Sequence, residues 1–264
     1  MQDAKVNTLD QLLERHDRER STFMLLTDPE QARYQVKMRA YYAHNPWAFQ
    51  THCVYTLDPV SQDNPIKPFP ADLEYLKFLT SLWQKEKLIA APKSRRMFCS
   101  WNFISLYTWD TIFHPGRFNG FVSKKEDDAG DLISRAEFIY HKIPEWRIPR
   151  ALLPKLKNGK MSKQPPVMEF EEINSKLQGF PQGAEQLRQY TLSGIMGDEC
   201  AFWEQAQSFY SASKPTLDGG GRMTLISSRS PGFFKKIVFD QLDAQDLTFK
   251  EVAPSKVHFP MEGV

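Results

Sequence analysis

The feature that most constrains the fold of this chain is the stretch of residues 191–203, TLSGIMGDECAFW. It opens with a short apolar run, Leu192 to Met196, and continues into two adjacent acids, Asp198 and Glu199. An apolar run of this length between turn-forming residues is typical of a buried strand in a parallel sheet. Ligands of open α/β sheets bind at the carboxyl ends of the strands, so both acids are expected at a site.

The acid pair has two interpretations. In nucleotide hydrolases the first acid of such a pair holds Mg²⁺, and the second orients or deprotonates a water molecule. In the other interpretation, the acids lie in the first turn of a helix, where their charge suits the helix dipole. Short motifs are often matched by chance, so the pair alone favours the structural interpretation. The rest of the chain decides between them.

The composition fits one large α/β domain, or a domain with an appendage, because 264 residues with 41% hydrophobic side chains can bury a sizeable core. The net charge is +2, so any contact with DNA is expected to come from a local patch. Cys53, Cys99 and Cys200 are far apart, which is typical of reduced thiols in a cytosolic protein. The charged N-terminus lacks a signal region, and no run approaches the roughly 18 apolar residues of a membrane span.

The order of the elements predicts a parallel sheet. The predicted elements are a helix after residue 70, a strand at 88–91, a basic loop at 92–100, a helix at 101–113, a strand at 118–122, a helix at 126–142, a hairpin at 165–180, a helix at 203–212, a strand at 222–228 and a helix at 229–240. Alternating strands and helices form βαβ units, which place the chain in the α/β class.

The N-terminal part has a different pattern, with predicted helices at 8–20 and 28–44 and a proline-rich loop at 45–70. The predicted domain boundaries are 1–70 for an N-terminal helical appendage that includes the adenine-side segment, 71–242 for the core, and 243–264 for a C-terminal linker.

The basic loop after the first core strand has the ingredients of a phosphate site but not its usual sequence. A standard phosphate loop reads G-x-x-x-x-G-K-[ST], and of the matching residues 93–100, KSRRMFCS, only Ser100 fits. Cations, a turn between strand and helix, a helix N-terminus and a hydroxyl remain. Lys93 at the head of the loop can supply the charge that Cys99 cannot. Without glycine, the loop must adopt its conformation at a steric cost.

Two further segments carry polar candidates. Ser227, Ser228 and Arg229 follow the strand after the acids, where hydroxyls can bond a γ-phosphate or a water, or simply form a serine turn. Residues 142–163 carry seven cations and one acid, Glu145. That segment is either a contact for duplex phosphates or a solvated lysine-rich loop, and both interpretations stay open.

Four segments together resemble one protein family. They are LIAAPKSRRMFCSW, FVSKKEDDAGDLISRAEFIY, INSKLQGFPQGAEQLRQYTLSGIMGDECAFW and PTLDGGGRMTLISSRSPG, in this order. They are similar to the deviant Walker A, the second strand and helix, the Walker B and the coupling motif of the terminase large subunit, the DNA-packaging motor of tailed bacteriophages. The resemblance covers roughly residues 70–240 and implies a RecA-like P-loop NTPase of the ASCE class. Such a domain has a central, mainly parallel sheet flanked by helices.

The resemblance implies roles for residues at the matching positions. Lys93 is expected to bind the β- and γ-phosphates of ATP, and Glu199 to activate water. The other nucleotide contacts are expected at Ser94, Arg95, Arg96, Ser100 and Phe69. Mg²⁺ is expected on Asp198 and Ser100, and coupling of hydrolysis to movement is expected at Ser227 and Ser228.

An arginine finger from a neighbouring subunit is a further catalytic element implied by the resemblance, with Arg135 or Arg188 as candidates. Arg96 is expected to assist catalysis as a sensing arginine of the loop. For Arg135 and Arg188 a surface salt bridge is the competing interpretation. The residues expected to contact DNA are Arg147, Arg150, Lys155 and Lys157.

The partners implied by the resemblance are double-stranded DNA, the portal protein and the small terminase subunit. The chain is expected to join a homo-oligomeric ring on the procapsid, to be monomeric in isolation, and to have no membrane contact. Its expected location is the host cytoplasm, and transiently the portal vertex. The tail ending at Val264 resembles a linker cut short of a nuclease domain, so DNA cleavage is not expected.

Two rival functions remain. A non-hydrolysing assembly module would dock on the portal or DNA, and the degenerate loop, with Cys99 where lysine is expected, favours it. A helicase-like translocase would need a second RecA-like lobe, for which the chain is too short.

Overall fold

A computed structural model describes residues 9–95, 97–183 and 187–239 of this chain. The helices are α1 Leu9–Met24, α2 Asp28–His44, α3 Pro46–Cys53, α4 Glu74–Lys85, α5 Cys99–Phe113, α6 Glu126–Lys142, α7 Ala206–Asp218 and α8 Phe233–Phe239. The strands are β1 Tyr55–Leu57, β2 Ile66–Pro68, β3 Leu88–Pro92, β4 Phe118–Ser123, β5 Ser162–Lys163, β6 Pro166–Phe170, β7 Ser175–Pro181, β8 Gly194–Asp198 and β9 Arg222–Ser227. No helix in these ranges is both long and apolar enough to cross a bilayer.

A seven-stranded sheet forms the centre of the molecule, with the strand order β3-β9-β8-β4-β7-β6-β5. The first five strands in this order are parallel, and β6 and β5 continue the sheet antiparallel at one edge. The predicted α/β class, with a mainly parallel central sheet flanked by helices, is therefore confirmed.

Helices cover both faces of this sheet, because neighbouring strand residues enter different hydrophobic clusters. On β8, Ile195 packs in the cluster that holds Phe209 of α7, whereas Met196 packs in the cluster that holds Phe103 of α5. Successive side chains of a strand point to opposite faces. All five residues of β8 are buried, which confirms the expectation of a buried strand that leads to the acids.

Two glycines let other elements approach β8 closely. A Cβ atom on Gly194 would lie 2.6 Å from the ring of Tyr107, and one on Gly197 would lie 2.7 Å from the Cys200 sulfur. Both distances are shorter than van der Waals contact allows, so any larger residue would push α5 or the turn after the acids away from the strand.

The sequence predicts one proline-rich loop at 45–70. The structure instead has α3 and the β1–β2 hairpin in this stretch. Pro46 occupies the first turn of α3, where its missing N–H costs nothing, and the Asn45 side chain accepts a hydrogen bond from Ala48 N. The predicted helix at 203–212 is also shifted. A 3₁₀ turn at Cys200–Phe202 precedes it, and α7 continues to Asp218 despite Pro215.

The described part of the N-terminal region packs into the core of the sheet. Tyr42 and Phe49 are fully buried in the same cluster as α5, and Trp109 Nε1 donates to the Tyr42 carbonyl at 2.7 Å. The predicted domain boundaries stay predictions, and the predicted linker at 243–264 lies outside the described residues.

Candidate active site

The carboxyl ends of three neighbouring strands lie side by side on the same side of the sheet. Strands β3, β9 and β8 are parallel neighbours, so the residues that follow each of them lie side by side. Lys93 follows β3, Ser228 follows β9, and Glu199 follows β8. Residues that the sequence spreads over more than a hundred positions are thus brought to one place.

Lys93 faces the acid pair directly. Its Nζ atom lies 2.6 Å from Glu199 Oε1 and 3.9 Å from Asp198 Oδ1, and its side chain is only 9% exposed. The Lys93 backbone N–H donates to the Ser227 carbonyl at 2.9 Å, which extends the β3–β9 pairing by one residue. The orientation of Lys93 is therefore set by the sheet, and its charge is opposite the two carboxylates.

Glu199 is held from two sides. Besides Lys93, it accepts hydrogen bonds from Ser228 N at 3.0 Å, Ser228 Oγ at 3.2 Å and Ser227 Oγ at 3.4 Å. Burial acts to raise the pKa of Glu199, but the bonds and charge of Lys93 together with the Ser228 bonds outweigh it and hold this pKa below the usual value. Glu199 is therefore an ionised carboxylate at neutral pH, as a base must be.

The backbone at Glu199 is in the left-handed region, with φ 53° and ψ 41°. This conformation is uncommon for a residue with a side chain, and such residues are concentrated at functional sites. The turn lets the chain leave β8 sharply, so that adjacent residues Asp198 and Glu199 both face the strand ends.

Asp198 and Ser100 form a pair of hard oxygen ligands. Ser100 Oγ donates to Asp198 Oδ2 at 3.1 Å, and burial raises the pKa of Asp198 against the lowering effect of Lys93. No group of three or more His, Cys, Asp or Glu side chains suited to a metal ion occurs in the described ranges. These residues fit Mg²⁺, which prefers one or two protein oxygens and takes its other ligands from phosphates and water.

The loop between β3 and α5 shows the expected steric cost at one residue. Phe98, at the position of the second glycine in a standard phosphate loop, has φ 49° and ψ 6°. It begins α5 without a side-chain capping bond, so the first N–H groups of this helix are not capped by it. Such groups and the helix dipole favour an anion. Ser94 and Arg95 are exposed in the same loop, and Arg96 lies outside the described residues.

A contact from α4 holds this loop, and no sequence pattern predicts it. Tyr75 donates its hydroxyl hydrogen to the Met97 carbonyl at 3.0 Å. Tyr75 lies beside the apolar stripe of a predicted helix, so the sequence predicts that its ring packs in the hydrophobic core. No sequence signal relates its hydroxyl to a loop 22 residues later.

Arg135 lies beside the site of its own chain. Its guanidinium carbon is 5.6 Å from the centre of the Trp101 ring, next to Ser100, and its charge acts to lower the pKa of Asp198. Arg188 is exposed in the segment between β7 and β8. The role of either residue as a finger for a neighbouring subunit stays a prediction.

The expectation for Phe69 is not met. Its side chain is fully buried, and its ring packs edge-on against Trp47 with 6.0 Å between the ring centres. Its N–H donates to the Val54 carbonyl at 3.0 Å, which continues the β1–β2 pairing. In this structure Phe69 is a core residue, and its ring is not available to stack on a base.

The structure pairs three of the four residues expected to contact DNA with groups of the chain itself, and one of them, Arg147, is buried. Arg147 is 2% exposed and bonds to Glu19 of α1 and to Tyr42 Oη. Arg150 donates to the carbonyls of Tyr140 and His141 at 2.6 and 2.5 Å, so it satisfies the last turn of α6.

Lys157 is neutralised by Glu169 at 2.9 Å and Glu171 at 2.8 Å. Of the four, Lys155 keeps an exposed ammonium, with 83% of its side chain accessible and a weak pairing to Glu172 at 3.9 Å. In the sequence these cations lie in one basic segment. In the structure, three of the four are bonded to carboxylates, carbonyls or a hydroxyl of the same chain.

No protein-family model and no curated protein matches this chain. Among solved structures it resembles the HK97 bacteriophage large terminase, with 10% identity, a TM-score of 0.48, and coverage of 70% of this chain and 37% of that chain. It also resembles the large terminase ATPase domain of Thermus phage P74-26, with 14% identity, a TM-score of 0.42, and coverage of 57% and 63%.

A third similar structure is the large terminase of a thermophilic bacteriophage in complex with ADP, with 17% identity, a TM-score of 0.39, and coverage of 66% of this chain and 43% of that chain. At these identities the likeness concerns the fold alone. The three structures named here are large terminases of bacteriophages or their ATPase domain.

Proposed function

We propose that this chain is the ATPase domain of a terminase large subunit, which hydrolyses ATP to move viral double-stranded DNA into a procapsid. The observation that carries the hydrolysis is the contact of Lys93 with Glu199 across the ends of β3 and β8, at 2.6 Å. It supports the proposal because a lysine and two carboxylates, those of Asp198 and Glu199, lie within one side chain's reach of each other. The proposal assigns them the roles of phosphate-binding cation, metal ligand and general base. These are the parts that phosphoryl transfer to water requires.

Lys93, the Asp198–Ser100 pair and Glu199 each have a separate role in the proposed hydrolysis. Lys93 would leave Glu199 and bind the β- and γ-phosphates, since its flexible stem carries a compact charge. Asp198 and Ser100 would hold Mg²⁺, which when bound neutralises the charge that develops on the phosphoryl group. Glu199, freed from Lys93, would take a proton from the attacking water. The water oxygen bonds to the γ-phosphorus as the bond to the bridging oxygen breaks, and ADP leaves with that electron pair.

Coupling of hydrolysis to movement is proposed to run through β9. Ser228 holds Glu199 by both its N–H and its hydroxyl, and Ser227 Oγ also accepts a hydrogen bond from Ala201 N at 3.0 Å. A change in the position of Glu199 would thus alter the hydrogen bonds at the end of β9 and in the turn after the acids. Two arrangements of these bonds would define the two states.

The proposed function is tested by Glu199→Gln. The amide cannot take a proton, so turnover should fall about 100-fold or more. ATP and ADP should both bind about threefold to tenfold more tightly, because Lys93 is no longer held by a charge; the figure is small since this pair is partly solvated. Phosphate release and titration with the Mg²⁺ complexes of both nucleotides measure these changes.

The matched control is Glu204→Gln, which changes an acid with 81% side-chain exposure a few residues away. It should leave turnover and both affinities unchanged. If Glu199→Gln turned ATP over at nearly the wild-type rate, the assignment of the base would be wrong.

A non-hydrolysing assembly module is the second candidate, and the loop favours it. Burial raises the pKa of Cys99, at the position of the usual lysine, to about 11, so its thiol stays neutral. Among the described residues of the loop, Lys93 then supplies the positive charge that contacts the acid pair. A titration separates the two functions, because the assembly module predicts no Mg²⁺-dependent affinity for ATP.

The assembly partners are part of the same proposal and rest on the resemblance. They are double-stranded DNA, the portal protein, the small terminase subunit and further copies of this chain in a ring, with a finger arginine supplied in trans. The isolated domain is then expected to turn over slowly. Addition of portal and DNA should raise its rate if the proposal holds.

A further inference from the structure

The loop that would bind phosphates contains no glycine in residues 93–100, yet it contains a left-handed turn at Phe98. A side chain in this conformation costs free energy that glycine would avoid. The conformation therefore has to be maintained by hydrogen bonds that involve side chains. Two such contacts reach the residues around the turn.

The first contact is internal to the loop, because the Ser94 N–H donates to the sulfur of Met97 at 3.3 Å. The second comes from α4, where the Tyr75 hydroxyl donates to the carbonyl of Met97 at 3.0 Å. Tyr75 is itself fixed, since it is half-buried and packs against the larger hydrophobic cluster. Burial raises its pKa to about 12, so its hydroxyl carries a hydrogen to donate at neutral pH.

The position of the second bond matters because of the geometry of the peptide unit. The carbonyl of Met97 and the N–H of Phe98 belong to one planar trans peptide, in which they point in opposite directions. Fixing the carbonyl toward Tyr75 therefore aims the Phe98 N–H away from α4. The next N–H groups are those of the first turn of α5, which an anion would approach.

We infer that Tyr75 is a positioning residue for triphosphate binding, whose hydroxyl holds the Met97 carbonyl so that the Phe98 N–H and the first turn of α5 face the phosphates. This inference rests on the proposed function, because it names a determinant of the same nucleotide site. The Tyr75 hydroxyl acts on the orientation of one peptide in the loop. It selects one orientation of a peptide that a flexible loop would otherwise leave free to turn.

The test is Tyr75→Phe, which removes one oxygen and keeps the ring. The Kd for Mg²⁺-ATP should rise about threefold to tenfold, as the loss of one ordering hydrogen bond predicts. At saturating ATP, kcat should stay within about twofold, because the groups that handle the water and the metal are unchanged.

Tyr140→Phe is the matched control. Tyr140 also donates to a backbone carbonyl, that of Pro154 at 2.8 Å, but it lies on α6 in a buried position away from the loop. A merely structural effect of losing a tyrosine hydroxyl would appear in both variants. The inference predicts weaker ATP binding for Tyr75→Phe only.

The inference is overturned if Tyr75→Phe binds ATP as tightly as the wild type, or if both variants weaken binding equally. Its failure is distinguishable from failure of the proposed function. A wild-type protein without Mg²⁺-dependent ATP binding would remove the function itself, whereas a wild type that binds and a Tyr75→Phe variant that binds equally well would remove only the role of Tyr75.

Discussion

At the scale of single residues, Lys93 contributes to the dependence of stability on pH. In the wild type it helps hold the Glu199 pKa below the usual value, so this contribution is present above the ordinary pKa of glutamate and is lost as pH falls through the lowered one. In Lys93→Met the lowering effect of Lys93 on Glu199 and Asp198 is lost, so both pKa values should be higher than in the wild type. The variant should therefore lose stability relative to the wild type as pH rises.

The expected difference in the free energy of unfolding between wild type and Lys93→Met is about 1 kcal/mol at neutral pH, a value kept small because Glu199 is partly solvated. It should shrink toward about pH 4, where the carboxyls of the variant are protonated. Urea unfolding at both pH values measures it, with Lys85→Met, an exposed lysine of α4, as the control. A difference that grew toward acid pH would contradict the pairing.

Residues at strand ends could be predicted from sequence, and residues defined by distant partners could not. Lys93 and Glu199 follow apolar runs, and the ends of parallel strands share an edge. Arg147 follows no such rule, because its burial depends on Glu19, 128 positions away. A count of charges cannot distinguish a cation that faces solvent from one that is paired inside the chain.

At the scale of elements, the turn that begins α5 stores strain at Phe98. Phe98→Gly should raise the free energy of unfolding by about 1 kcal/mol, since glycine adopts a positive φ without steric cost. Phe202→Gly is the control, because it also removes a partly exposed phenylalanine but from a residue without positive φ. Thermal unfolding compares the two, and equal destabilisation would contradict a strained turn.

Elements with strong periodicity were predicted closely, and those defined by packing or capping were not. Helix α6 has the predicted bounds, 126–142, because acids begin it and one apolar stripe runs through it. The prolines at 45–70 predict a loop where the structure has α3, because a proline in the first turn favours a helix and does not break it. Tyr75 was predicted as part of α4, but its bond to the loop is a tertiary contact without a local pattern.

At the scale of the whole molecule, Arg147 joins the segment after α6 to the N-terminal helices. Arg147→Met should lower the free energy of unfolding by about 2 to 3 kcal/mol, since it leaves Glu19 and Tyr42 without their buried partner. Lys155→Met should change it by less than about 0.5 kcal/mol, because that side chain is 83% exposed. Urea unfolding of both variants is the measurement, and equal stabilities would show that Arg147 is not a link between these parts.

The bonds at the strand ends have a consequence for a copy of the protein that carries no nucleotide. Lys93 is bound to Glu199, Ser100 to Asp198, and Ser228 to Glu199. Each of these side chains is therefore already paired within the chain. Under the proposed function, a bound triphosphate would have to displace these bonds before Lys93, Asp198 and Glu199 could act on it.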